Sequence, residues 1–212
     1  MPLRWNIAQA AEIRWWKSYL RNKPVHDYLS WKTNYWRDFL KTIGVSPTSG
    51  MTILDAGCGP AGIFSILNGQ DVTAVDPLLE KYEDQLDHFR SEDYHWTTFV
   101  ASPLEEFIEP VKFDLIFCLN AINHVKDIDL CLSNLETSLK DGGTLVMSID
   151  SHNHQAWKHL FRLLPGDILH PHQYDLEEYN QMLRNQQLTV QSTHHLKHEY
   201  FFDYYAIVAR KP

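Results

Sequence analysis

The chain has 212 residues, 44% of them hydrophobic, enough to bury one substantial core with little room for a second, and no stretch approaches the roughly 20 apolar residues of a membrane span. Met1 to Ala10 lacks the apolar core of a secretory signal, and the three cysteines (Cys58, Cys118, Cys131) suit neither a disulfide framework nor a paired metal site, so a reduced, cytoplasmic protein is expected. The net charge of −8 hides an asymmetry: residues 1–50 carry eight Lys or Arg against three Asp or Glu, together with five of the seven tryptophans.

In chain order, apolar residues recur at three and four positions from about Ile7 to Leu20 and again from Val25 to Ile43, which predicts two amphipathic helices punctuated by Asn22 and Pro24. Gly44 and the run Ser46-Pro47-Thr48-Ser49-Gly50 break that pattern. Short apolar runs follow at Met51 to Ala56, Asp71 to Val75, Trp96 to Val100, Phe113 to Leu119 and Thr144 to Ile149. Strands of this kind alternating with helical stretches predict a doubly wound, mostly parallel α/β sheet. A helix from Leu176 to Asn185 and two strands, Leu188 to His194 and Tyr204 to Arg210, complete seven strands with an antiparallel C-terminal hairpin. Residues 1–45 are expected to form a helical cap belonging to the same domain as residues 46–212.

The segment Leu54-Asp55-Ala56-Gly57-Cys58-Gly59-Pro60-Ala61-Gly62 is expected to run from the first strand into a helix, and Asp76 follows at the end of the second strand. Bare glycine backbone lets a ligand approach closely, and a carboxylate at that second position can hold both ribose hydroxyls. By spacing alone the loop fits NAD and S-adenosylmethionine equally. Asp55 at its mouth favours the latter, because an anion there repels a pyrophosphate and attracts a cationic amino group. The segment resembles motif I of the class I S-adenosylmethionine-dependent methyltransferases. Val75-Asp76-Pro77, Phe113 to Val125, and Lys140-Asp141-Gly142-Gly143-Thr144-Leu145-Val146-Met147 resemble the same family's later signatures, especially in its small-molecule members.

That resemblance covers residues 50 to 150 and implies a role for each matching position. Gly57 and Gly59 lie against the methionine part, Asp76 with Pro77 takes the ribose, Ser102-Pro103-Leu104 flanks adenine, and Asn120 lines the sulfonium side, with His124 in the same loop. Many members have Asp where this chain has Ser102, which shifts adenine recognition toward backbone groups and Leu104. The aromatic N-terminal helices are expected to act as a lid, with Tyr19 the first choice against the cofactor.

Loops at the carboxyl ends of the strands should face the reaction centre, and nine of the twelve histidines lie beyond position 120. A base is needed only where the acceptor must lose a proton, and His152, His154, His170 and His172 are the candidates. The two His-x-His pairs they form lack accompanying acidic or cysteine ligands, so no metal is expected. The expected partner is a small-molecule methyl acceptor. Nucleic acid is disfavoured because the basic residues never form a run and no Asn/Asp-Pro-Pro-Tyr tetrapeptide follows strand four. An NAD(P)-binding oxidoreductase and a non-catalytic cofactor-binding interaction protein remain as alternatives.

Overall fold

The computed structural model describes residues 2–109, 112–152, 174–198 and 202–212. Helix α1 (Pro2–Leu20) and helix α2 (Val25–Ile43) precede strands β1 (Thr52–Ala56) and β2 (Asp71–Val75), helix α3 (Leu79–Gln85), and strands β3 (Thr97–Val100) and β4 (Phe113–Leu119). Helix α4 (Ile128–Ser138), strand β5 (Leu139–His152), helix α5 (Leu176–Asn185), and strands β6 (Thr189–His198) and β7 (Phe202–Arg210) follow. The sheet order is β3-β2-β1-β4-β5-β7-β6. β1 to β5 pair in parallel, while β7 runs antiparallel to both β5 and β6. No helix among the described residues is long and apolar enough to cross a membrane.

Each face of the sheet has its own core. On one face α2 presents Tyr28, Trp36, Phe39 and Ile43, and α1 presents Ile13 and Leu20, against Ile53, Phe117, Val146 and Ala206 of the strands. The other face is closed by Ile128, Leu132 and Leu135 of α4 and by Tyr179 and Leu183 of α5. These stripes recur at three- and four-residue spacing, so each helix buries one side only. Both helices on that second face start on an aspartate: Asp127 accepts from Leu130 N, and Asp175 forms a reciprocal capping box with Glu178.

The crossover between β1 and β2 departs from the sequence expectation. After Gly62 the chain makes only a four-residue 3-10 turn, Ile63–Ile66, instead of an α-helix. Carbonyls that a longer helix would need accept from side chains, Gly62 O from Ser65 Oγ at 2.8 Å and Phe64 O from Trp96 Nε1 at 3.0 Å. Helix α2 packs on this turn, and Trp36 Nε1 donates to Ala61 O at 3.0 Å. The β4–β5 ladder is also irregular, because residues 140–143 loop out between the pairs Phe113↔Leu139 and Leu115↔Thr144.

Candidate functional site

Strand order reverses between β1 and β4, so a crevice is expected where their carboxyl ends diverge. The two loops at that point touch each other. Gly57 has φ +72°, in the left-handed region, and a β-carbon built on it would come within 3.0 Å of the Ala121 β-carbon. Gly59, at φ +59°, leaves bare backbone facing only the Trp16 ring of α1. Glycine meets both demands, a positive φ and no side chain.

Asp76 ties this loop to the end of β2. Its Oδ2 accepts from Gly59 N at 3.0 Å and its Oδ1 from Leu78 N at 2.8 Å, with Pro77 making the turn between β2 and α3. A carboxylate has about four lone-pair sites, so these two amides leave capacity for further donors. Burial, and then the Glu12 carboxylate, raise the Asp76 pKa to about 7 against the pull of the Leu78 and Gly59 amides and Tyr82. Asp55 is buried beneath the loop, accepts from Phe64 N at 3.0 Å, and is likewise raised by burial to about 7. Two buried carboxylates raised in this way mark a candidate site, because an added donor or a nearby cation offsets the cost of burying their charge.

Lys32 supplies one such cation. It stands on α2 with its Nζ 4.5 Å from the centre of the Trp36 ring, and burial lowers its pKa to about 8 while the Asp55 charge raises it. Lys32 is not among the residues expected above; its signal in the sequence is its place between Tyr28 and Trp36 on one helical stripe.

Asn120 is held at φ 53°, unusual for a residue with a side chain. Its N–H donates to Ser148 Oγ at 2.9 Å, and that hydroxyl donates back to Asn120 Oδ1 at 3.0 Å. β5 thus fixes the lip of β4. Strain so maintained is characteristic of ligand-binding loops. In the following turn His124 N donates to Ala121 O at 3.0 Å, and buried Asn123 accepts from Tyr179 OH at 2.7 Å.

The remaining expected residues are distributed less uniformly. Ser102 lies beyond β3 with its hydroxyl on Pro103 O, while the Leu104 side chain is buried in the second core and Asn134 Nδ2 holds its carbonyl at 3.0 Å. Tyr19 stacks on Trp15 at 4.9 Å, takes the Lys23 ammonium over its ring at 4.5 Å, and lines a groove at the α1–α2 turn with Tyr28 and Trp31. Trp16, three residues earlier, is the ring that reaches the glycine loop. His152 ends β5 at the carboxyl edge, paired with Phe202. His154, His170 and His172 lie outside the described residues.

Comparison with known proteins points one way. A family described as "Methyltransferase domain" matches residues 28–193. The chain is 30% identical over 171 residues to the ubiquinone biosynthesis O-methyltransferase of Azotobacter vinelandii, covering 74% of this chain and 69% of that one. Its fold is similar to that of 1,6-didemethyltoxoflavin-N1-methyltransferase from Burkholderia thailandensis, with TM-score 0.62, 16% identity, and 99% and 87% of the two chains covered. It is also similar to N-methyltransferase NodS from Bradyrhizobium japonicum, solved with S-adenosyl-L-homocysteine, with TM-score 0.63, 17% identity, and 92% and 91% covered.

Proposed function

The chain belongs to the class I S-adenosylmethionine-dependent methyltransferases, and from that premise we propose that the acceptor is a hydroxyl oxygen of a small molecule. The relative at 30% identity, named an O-methyltransferase, supports oxygen as the acceptor atom. When bound, the cofactor supplies an electrophilic methyl group on a cationic sulfur.

The observation that carries the site assignment is the Asp76 carboxylate, buried near the switch point and holding Gly59 N while acceptor capacity remains for ribose. Gly57 and Gly59 give the methionine part a bare backbone to lie on. Lys32 and Asp55 place one cation and one anion beside this loop, complementary to the carboxylate and ammonium of an amino acid. Trp16 closes the loop from above and Asn120 borders the sulfonium side. Ser102 meets adenine through backbone groups, with Leu104 as the apolar floor behind it.

Because positive charge disperses as the methyl group moves, these residues act chiefly by alignment and exclusion of water. With the cofactor held there, the transfer would form a C–O bond as the C–S bond breaks, and sulfur would leave neutral. The hydroxyl proton passes to a histidine, for which His152 at the end of β5 and His154, His170 and His172 are the candidates. The test is incubation with S-adenosylmethionine and matched aromatic acceptors bearing either a hydroxyl or an amine. S-adenosylhomocysteine should form with the hydroxyl acceptors and the product should carry an ether methyl group; transfer to the amines alone overturns the assignment.

A further inference from the structure

Residues three apart on a regular strand point to opposite faces, so His195 and His198 of β6 should not meet. The β6–β7 ladder shifts register between the pairs His195↔Tyr205 and Lys197↔Tyr204, which inserts one residue and turns His198 onto the face of His195. Asp203 pairs directly with His198 on that face. His198 Nδ1 lies 2.6 Å and His195 Nε2 3.2 Å from Asp203 Oδ1, and one donor atom from each of the three residues lies within 4.8 Å of the others.

Two features distinguish this cluster from a chance surface contact. The Asp203 side chain is only 19% exposed, against 49% and 71% for His195 and His198, so a half-buried anion sits beneath two accessible imidazoles. Tyr205 borders both partners. Its ring centre lies 5.1 Å from that of His195, and it is two residues from Asp203 on β7. An outer residue of this kind holds ligands in place.

We propose that His195, His198 and Asp203 bind a divalent first-row transition ion, of which Zn2+ is the representative. Two imidazoles and one carboxylate suit such an ion better than Mg2+ or Ca2+, which prefer oxygen sets. Three protein ligands leave a coordination position open to water or an incoming ligand. Asp203 pairs with Ser151 near the end of β5, so the ion would brace the edge hairpin at the carboxyl rim of the sheet. The His-x-His pairs weighed from the sequence are different residues, and the bulge that brings His195 to His198 is not encoded in spacing.

The experiment is calorimetric titration of the full chain with ZnCl2 in a non-chelating buffer, without cofactor, on the wild type and on His195→Ala, His198→Ala, Asp203→Asn and His194→Ala. His194 is a control because its Nε2 is engaged with Ser192 Oγ at 2.8 Å. One equivalent should bind with a Kd of about 10 µM or below. Each of the first three substitutions should weaken it at least about tenfold, and His194→Ala should not. Zn2+ should raise the melting midpoint of the wild type and not of His198→Ala, whose fold is checked by its metal-free melt. Absence of stoichiometric binding, or binding that survives the three ligand substitutions, overturns the proposal.

Discussion

Gly57→Ala is a demanding test of how the two switch-point loops fit together. An alanine held at φ +72° costs about 1 kcal/mol relative to glycine. Its methyl group would also arrive within 3.0 Å of the Ala121 β-carbon, with backbone directly behind it. Overpacking of this kind costs about 1–3 kcal/mol, so the whole effect should be about 3 kcal/mol. Relief requires the Ala121 segment to move, which would pull Asn120 from Ser148 and loosen the proposed cofactor crevice. Chemical denaturation and S-adenosylmethionine titration should therefore both report the damage. Removing the opposing methyl group isolates the collision. In a cycle of Gly57→Ala, Ala121→Gly and the double variant, coupling of about 1–3 kcal/mol should appear, with the backbone strain left behind. Additive single effects would refute the close approach of these loops.

Three further outcomes follow from the same geometry. Burial lifts Asp55 and Asp76 to about 7, while unfolded aspartate titrates near about 4, so the ligand-free fold binds extra protons between those values. The stability these groups contribute is fully present below about 4 and is lost as pH rises through 7. If Asp76 takes the ribose as proposed, the hydroxyls donating to its ionised form would lower its pKa again, so cofactor binding near neutrality should release protons; heats independent of buffer ionisation would contradict this. Lys32→Met should weaken S-adenosylmethionine and S-adenosylhomocysteine at least about tenfold but spare adenosine, which has no amino-acid end; equal losses would place Lys32 elsewhere. Trp36→Phe leaves Ala61 O without its indole donor and should cost about 2 kcal/mol in thermal unfolding; an unchanged midpoint would remove α2 from the support of the loop.

Much of the fold was legible because its signals are local. The boundaries of α2, β2, β4 and α5 match the apolar periodicities residue for residue, and the glycine pair with Asp76 announced the switch point. What was hidden depends on contacts distant in sequence. The turn after Gly62 stays short because the Trp96 indole, from just before β3, takes up the Phe64 carbonyl. Trp16 rather than Tyr19 faces the loop because α1 docks on α3, with Tyr82 OH donating to Glu12 at 3.3 Å. The His195–His198 pairing depends on a bulge, which changes which face a residue occupies without changing composition.

The central claim is that S-adenosylmethionine binds at the β1–β4 switch point through Asp76. It is tested most directly by titrating the ligand-free protein and Asp76→Ala with S-adenosylmethionine, S-adenosylhomocysteine and NAD in parallel. The account predicts micromolar binding of the first two and none of NAD, with Asp76→Ala weakened by about ten- to a hundredfold through loss of the charged hydrogen bonds to ribose. Unchanged affinity in Asp76→Ala, or binding of NAD alone, would contradict it.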